Sequence, residues 1–359
     1  MAKLYDISSW SEQSWWNTGG TRDKKIYLNP EDGELYYFKQ SFNKGQRNYK
    51  YEFWSEIIAS EIGIMLGFDV LRYDIAMRGN IVGCISKSMI NQTSEELVEG
   101  GKYLQAFDNT FNPEDVKQRN QYSFELIVNA LKEFQKQKHL EELIEVIVFD
   151  ALIGNSDRHQ ENWGIINVHT TISETMKQME EEIETGRFDN KIQTLPIYLK
   201  KIFKKIFLNN QGGFKSGFKA ARLGLPKTRF APIYDSGCSF GRELEDTRVL
   251  ELLGSEQKIE QYLSKGQAEI HWENKKISHF ELVNKILQIN EFKPFIVNPL
   301  QKVMNGFNVD KVINIVSNVD IELTNSGNPN SLPKERKELI VKLLTLRFER
   351  LKEIYLQIK

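Results

Sequence analysis

The first ninety residues alternate between strand-like and helix-like hydrophobic patterns. Lys24–Phe42 holds two β-prone runs around Asn-Pro-Glu-Asp-Gly, whose proline and glycine are typical of a turn. Residues 48–68 then place apolar side chains at helical spacing and end near Gly67. Residues 69–90 again read as two strands, with a turn at residues 78–80. The pattern predicts a hairpin, one amphipathic helix and a second hairpin, with Lys39 inside the second strand.

Helical patterns dominate from about Ser94 onward. Before Gly154, apolar side chains recur at the i, i+3, i+4, i+7 spacing of a buried helical stripe: Leu140, Leu143, Ile144, Ile147, Val148, Ala151 and Leu152. Helical patterns return from Asp246 to the end, broken by the loop TNSGNPNSLP. A chain of 359 residues exceeds the usual size of a single core, so we expect two lobes or two packed domains.

Composition narrows the classes of function. With 48 basic and 49 acidic residues the net charge is −1, which gives no general reason to expect direct binding to nucleic acid or to an anionic membrane. Cys84 and Cys238 lie far apart and outside any zinc-type spacing, so neither a disulfide framework nor a structural zinc site is indicated. The sequence also lacks an apolar signal core and a run of about 20 apolar residues, and we expect a soluble, cytoplasmic protein.

Residues 172–229 stand apart in charge. An acidic start is followed by ten Lys or Arg residues, with no acidic residue between Lys191 and Asp235. One interpretation is a surface pair of amphipathic helices, and the other is a docking patch for an acidic or nucleic-acid-bearing partner. The GGFKSGFK stretch there lacks the Lys-Ser/Thr that follows the second glycine of a phosphate-binding loop.

The residues after the helical stripe favour phosphoryl transfer. That chemistry needs a carboxylate to orient the attacking hydroxyl, oxygen ligands for magnesium and a cation on the nucleotide phosphates. Asp157 and Asn162 lie five residues apart in GNSDRHQEN, close enough for one loop to present both toward a common point. Asp235, in PIYDSG, follows a short β-prone run and precedes a glycine, as a metal-binding carboxylate on a turn does.

The upstream elements supply a matching cation. Lys39 on its strand can hold nucleotide phosphates, and Glu52 near the helix start can pair with its ammonium; Glu56, one turn on, is the weaker candidate. Gly19 and Gly20 leave a bare backbone that can approach phosphates closely. Taken singly, a strand lysine or a helix glutamate is usually a solvated surface charge, so the loop remains the specific signal.

Three further polar residues accompany the loop. His159 has no HxxxH-type partner, so it either shapes the loop through a hydrogen bond to a carbonyl or contacts phosphate or metal. Arg158 is expected to brace a neighbouring carboxylate. Asp150, on the last turn of the preceding helix, is either a brace behind the loop or a surface residue at a helix end.

Together these motifs resemble the HipA-like kinases, a bacterial serine/threonine protein kinase family that includes toxin kinases. The likeness rests on LIGNSDRHQENWGI, on YDSG and on the order of the elements before them. ELYYFKQ is similar to the family's strand with the ATP lysine, and YEFWSEIIASEIGI to its helix with the paired glutamate, here Glu52. The resemblance covers most of the chain in order, but only the loop motif is specific.

The resemblance implies roles for the candidate residues. Asp157 would be the catalytic base, Asn162 and Asp235 the magnesium ligands, and Lys39 the phosphate contact. Gly19 and Gly20 would lie in the phosphate-side loop, and the strand VGCISKSMI resembles the hinge that meets adenine. The hinge residues are then Lys87, Ser88 and Met89.

Two departures from the family pattern matter. The loop near Gly19 often carries an autophosphorylated serine, whereas Thr18 and Thr21 are the nearby hydroxyls here. Asn162 and Asp235 are 73 positions apart, which makes residues 172–229 an insertion. Since the glycine loop begins within twenty residues of Met1, we also expect the chain to lack the extra N-terminal domain of longer relatives.

The resemblance therefore implies an α+β, two-lobed protein-kinase-like fold. The small, β-rich N-lobe with one main helix would span residues 1–93, and the larger, mainly helical C-lobe residues 94–359. The implied function is an ATP- and Mg²⁺-dependent serine/threonine protein kinase, a type that includes toxins of toxin–antitoxin systems. Implied partners are a protein substrate, such as a translation factor or an aminoacyl-tRNA synthetase, and antitoxin proteins. The alternatives are a lipid or small-molecule kinase and an inactive nucleotide-binding module.

Overall fold

A computed structural model describes residues 1–14, 24–41, 43–44, 47–112, 121–169, 227–328 and 330–358. Gly19, Gly20 and most of the predicted insertion at 172–229 lie outside these ranges. One compact unit comprises Met1–Met89, Val98–Ile165 and Phe230–Lys359, and the second comprises the described parts of Ile90–Leu97 and Ile166–Arg229. The lobe boundary at residues 93 and 94 stays a prediction.

The N-lobe is built on a six-stranded sheet with the order β1-β7-β8-β4-β3-β2. Its strands are β1 (Leu4–Asp6), β2 (Ser11–Glu12), β3 (Lys24–Leu28), β4 (Leu35–Lys39), β7 (Asp74–Arg78) and β8 (Ile81–Lys87). Two short strands, β5 (Asn43–Lys44) and β6 (Arg47–Asn48), pair separately. The two predicted hairpins are β3–β4 and β7–β8, which pair antiparallel.

Alternation along these strands sends side chains to two different cores. Tyr27, Phe38 and Ile85 lie on one face with Ile7 and Trp10. The opposite face packs against helix α1 (Glu52–Leu66), the predicted helix, which is buried along most of its length. Because Lys39 pairs in register with Cys84 and alternates with Phe38, the lysine belongs to the face that α1 covers.

The C-lobe is mainly helical and is centred on α4 (Leu140–Ile153). Before it come α2 (Gly100–Phe107), α3 (Phe124–Glu133) and a 3₁₀ turn (Gln137–His139). After it come α5 (Asp246–Leu253), α6 (Glu256–Lys265), α7 (His279–Leu287), α8 (Lys293–Gly306), α9 (Val309–Asn318), α10 (Ile321–Asn325) and α11 (Lys334–Leu356). The predicted stripe of α4 packs against α7, α8 and α11, so this helix is the centre of the C-lobe core.

One element departs from the helical expectation after Ser94. A three-stranded sheet has the order β11-β10-β9, formed by β9 (Glu95–Glu99), β10 (Gly164–Val168) and β11 (Lys227–Phe230). The EELVE sequence of β9 has weak strand propensity, and its pairing with β10 overrides that local preference.

The helices of the described ranges have no membrane-spanning candidate, since none of them is both long and apolar enough to cross a bilayer.

Candidate active site

Lys39 lies at the centre of a buried ion-pair cluster between the sheet and α1. Its Nζ is 2.7 Å from Glu56 Oε1 and 2.8 Å from Asp235 Oδ1. Burial opposes the charged ammonium, but the carboxylates of Asp235 and Glu56 outweigh it and hold the pKa of Lys39 well above its ordinary value. The structure therefore brings the predicted phosphate lysine and the predicted metal carboxylate into direct contact.

The partner of Lys39 on α1 is Glu56, which corrects the expected pairing with Glu52. Glu52 begins the helix and contacts Arg242 Nη1 at 3.3 Å, whereas Glu56 lies about 6 Å further along the helix axis. Glu56 also accepts a 2.8 Å hydrogen bond from the backbone N–H of Ser236. The two glutamates share one helix face, and they differ in their position along the helix axis relative to Lys39.

The residues around Asp235 form a tight turn against α1. Asp235 has a φ of 55°, in the left-handed region that aspartate tolerates better than most residues. A Cβ at Gly237 would lie 3.1 Å from both Glu52 Cγ and Glu56 Oε1, so a side chain there would require both glutamate side chains to shift by a few tenths of an ångström. The Asp-Ser-Gly sequence is thus fitted to the helix that carries the glutamate.

The catalytic-loop candidate begins where α4 ends. Gly154 has a φ of 71°, and its N–H bonds the Asp150 carbonyl. Arg347 of α11, which was not singled out in the sequence, donates from Nη1 to the Ala151 carbonyl at 2.9 Å. Burial lowers the pKa of Arg347 to about 10, and its cation lies at the helix end where carbonyl groups favour positive charge.

Arg158 is the main brace of the loop. Its Nε and Nη2 bind the two carboxylate oxygens of Asp150 at 2.9 and 2.8 Å. Its Nη1 also donates to the carbonyls of Asn162 and Tyr234. Because Tyr234 directly precedes Asp235, this one buried guanidinium fixes both predicted metal ligands at the same place. This geometry agrees with the expected bracing role of Arg158 and, of the two alternatives for Asp150, with the brace rather than the surface residue.

Asp157 lies on the same loop and is partly exposed, as a group that meets a substrate must be. Its backbone N–H donates to Asn155 Oδ1 at 3.2 Å, and its carbonyl accepts from Asn162 Nδ2 at 2.7 Å. The Cys238 thiol donates to Asp157 Oδ2 at 3.2 Å and accepts from Arg242 Nη2 at 2.9 Å. Cys238 was not predicted from the sequence as a site residue, although it lies three residues after Asp235.

Lys24 is a second site residue that was not predicted from the sequence. It is the direct partner of Lys39 in the β3–β4 register, and its Nζ is 3.4 Å from Asp235 Oδ2. The predicted hairpin already contained the signal, because counting back from its turn places residue 24 opposite residue 39.

His159 and two of the hinge candidates make contacts with neighbouring segments. His159 Nδ1 faces the backbone N–H of Glu161 at 3.3 Å, so the ring shapes the loop through an amide rather than the expected carbonyl. Lys87 ends β8 and its ammonium pairs with Glu34 at 3.2 Å, while the Ser88 N–H donates to the Leu35 carbonyl at 2.7 Å. The adenine contacts of Lys87, Ser88 and Met89 remain predictions.

The donor set suits magnesium bound together with a nucleotide. Asp235 and Asn162 offer carboxylate and amide oxygens, and the Asn162 Nδ2 already donates within the loop, which leaves Oδ1 as the acceptor. Among the described residues, no group of three or more His, Cys, Asp or Glu could hold a metal ion. Magnesium commonly takes one or two protein ligands and completes its shell with phosphates and water. The residues therefore fit a nucleotide-dependent magnesium site.

Exchanging each glutamate separately tests the corrected pairing. Glu56→Gln is expected to lower nucleotide affinity at least tenfold, because Lys39 loses the carboxylate that keeps its ammonium in place. Glu52→Gln, which leaves the Lys39–Glu56 pair intact, is expected to change the nucleotide affinity less than threefold. Titration calorimetry with a non-hydrolysable ATP analogue measures both. The reverse ranking would restore Glu52 as the functional partner.

Comparison with known proteins gives a structural likeness. No protein-family model matches the sequence, and no curated protein matches it. The Helicobacter pylori proinflammatory kinase CtkA superposes with a TM-score of 0.69 at 17% identity, covering 99% of this chain and 97% of that one. This likeness confirms the expected α+β, kinase-like fold with a β-rich N-lobe and a helical C-lobe.

A second solved structure is more distant. The HipA protein of Shewanella oneidensis, in a complex with HipB and operator DNA, gives a TM-score of 0.38 at 11% identity, covering 89% of this chain and 58% of that chain. A TM-score this low does not establish a common fold.

Proposed function

We propose that this protein is an ATP- and Mg²⁺-dependent serine/threonine protein kinase of the HipA-like type. The observation that carries the proposal is the buried contact of Lys39 with Glu56 and Asp235, beside the loop that holds Asp157. Protein kinases need a lysine–glutamate pair and a metal-binding aspartate in place together before phosphoryl transfer proceeds. The kinase-like fold adds support from an independent direction.

The proposed mechanism assigns one task to each residue. Lys39, steadied by Glu56, contacts the nucleotide phosphates. Asp157 orients the acceptor hydroxyl for in-line attack on the γ-phosphoryl group and accepts its proton. Asn162 and Asp235 would hold magnesium, which when bound neutralises charge on the phosphates. Arg158 keeps the base and the metal ligands in register, since its guanidinium joins both segments.

Other parts of the proposal rest on the sequence resemblance. Gly19 and Gly20 would lie in the phosphate-side loop, and Lys87, Ser88 and Met89 at the adenine hinge. A protein substrate such as a translation component, antitoxin partners and a cytoplasmic location belong to the same resemblance. The division into lobes at residues 93 and 94 belongs to it as well.

The first test is transfer of labelled phosphate to host proteins. The purified protein, or its Asp157→Asn variant as the matched control, is incubated with γ-labelled ATP, Mg²⁺ and a host lysate. Labelled serine or threonine in protein bands, seen with the wild type and not with the variant, is the expected result. Label in the lipid or small-molecule fraction would instead favour the alternative kinase classes. ATP binding without any transfer would favour an inactive nucleotide-binding module.

A further inference from the structure

Two lysines face each other at the edge of the proposed nucleotide site. Lys24 and Lys39 are direct partners in the antiparallel β3–β4 pair, so their side chains leave the sheet on the same face. Like charges placed directly opposite each other across two strands are unfavourable unless an anion lies between them. Some negatively charged group must therefore account for this pair.

Asp235 is that anion in the structure. Its Oδ1 is 2.8 Å from Lys39 Nζ, and its Oδ2 is 3.4 Å from Lys24 Nζ. With Glu56 on the other side of Lys39, two ammonium groups face two carboxylates, and the cluster is neutral as a whole. The carboxylate proposed to bind metal is thus engaged through both of its oxygens.

This arrangement disfavours the binding of a metal ion to Asp235 in the absence of nucleotide. A magnesium ion lies about 2.1 Å from each oxygen ligand, closer than either ammonium, so it would repel the lysine that shares its oxygen and favour release of one lysine from Asp235. Lys39 still has Glu56 after such a change. Within the described part of the chain, the only ion pair of Lys24 at salt-bridge distance is the one with Asp235, and the Glu99 carboxylate acts on Lys24 only from further away. Loss of Asp235 would therefore leave the Lys24 ammonium without a direct anionic contact.

A nucleotide removes this penalty, because its phosphates supply new anions at the point where Lys24 and Lys39 converge. We propose that Lys24 is a second phosphate-binding lysine that blocks Asp235 until nucleotide and metal bind together. The inference rests on the proposed function and adds to it the residue that makes metal binding depend on nucleotide. Because coupling between two ligands is reciprocal, the same lysine raises nucleotide affinity when metal is present.

The test uses the neighbouring lysine as a matched control. Lys25 is the next residue on β3, points to the opposite face of the sheet and pairs with Glu12 at 3.2 Å. Lys24→Met and Lys25→Met remove the same charge from the same strand. Binding of Mn²⁺, a paramagnetic substitute for Mg²⁺, is measured by electron paramagnetic resonance without nucleotide. Binding of the non-hydrolysable analogue AMP-PNP is measured by calorimetry at saturating Mn²⁺.

The proposal predicts opposite changes in the two affinities. Lys24→Met is expected to bind Mn²⁺ at least fivefold more tightly without nucleotide, because the competing ammonium is gone. The same variant is expected to bind AMP-PNP at least fivefold more weakly with Mn²⁺ present, because a phosphate contact is lost. Lys25→Met is expected to stay within twofold of the wild type in both measurements.

Other results separate the failure of this inference from the failure of the proposed function. An unchanged Mn²⁺ affinity in Lys24→Met overturns the blocking role, and weakening of both affinities together reduces Lys24 to a structural role. In either case AMP-PNP binding by the wild type still upholds the nucleotide site. A wild type that binds no AMP-PNP at any Mn²⁺ concentration overturns the proposed function and this inference with it.

Discussion

Asp157→Asn is expected to lower the rate of phosphoryl transfer about 10²- to 10⁴-fold, the range typical for removing a general base. Its affinity for nucleotide is expected to stay within about twofold of the wild type. The amide has nearly the shape of the carboxylate but cannot accept the proton of the attacking hydroxyl. Initial rates of labelled phosphate transfer at saturating ATP, together with calorimetric titration of AMP-PNP, measure the two quantities separately.

The local contacts favour a folded Asp157→Asn variant. Two of the contacts of Asp157 are made by its backbone, with Asn155 and Asn162, and these do not depend on the carboxylate. The thiol of Cys238 can donate to an amide oxygen as it does to a carboxylate oxygen. Asp108→Asn, at an exposed turn after α2, is the matched control and should keep full activity. Near-wild-type turnover of Asp157→Asn would refute its assignment as the base.

The secondary structure at the site could be predicted because local signals agree there. The stripe before Gly154 indicated α4, and the hairpin turn placed Lys39 inside a strand. The concentration of polar residues at 154–162 has no simple explanation as a surface loop, so Asp157 and Asn162 were identifiable. That Asn162 and Asp235, 73 positions apart, would bind one metal ion rested on the resemblance.

The pairing of charges could not be predicted in the same way. Glu52 and Glu56 both suit the face of α1 toward the sheet. Which of them lies next to Lys39 depends on how the helix packs against the sheet, which is a property of the tertiary structure. Lys24 was hidden for another reason, since a strand lysine is usually solvated and only the β3–β4 register gives it a function. Cys238 is placed against Asp157 by the turn after Asp235, whose left-handed backbone no local rule specified.

Arg158→Met is expected to lower the free energy of unfolding by about 3–5 kcal/mol, the usual cost of removing one partner from a buried ion pair. Both groups are buried, and the variant would leave the Asp150 carboxylate without its bidentate partner. It would also release the carbonyls of Asn162 and Tyr234. Urea unfolding followed by circular dichroism measures the change.

A double-mutant cycle separates the ion pair from the rest of the guanidinium's contacts. Asp150→Asn combined with Arg158→Met removes the stranded charge, so the double variant is expected to be more stable than Arg158→Met alone. The stability of Arg158→Lys is expected to fall between those of Arg158→Met and the double variant. Its ammonium keeps the positive charge but cannot bind Asp150 in a bidentate way and also reach two carbonyls. A free energy of unfolding of Arg158→Met within about 1 kcal/mol of the wild-type value would contradict the proposed brace. The guanidinium would then not be the group that holds the loop and the Asp235 segment together. In the expected case, the stability that the double variant still loses relative to the wild type measures the part of the brace that acts through the carbonyls. A parallel loss of metal-dependent nucleotide affinity is expected, because those carbonyls belong to the segments that carry Asn162 and Asp235.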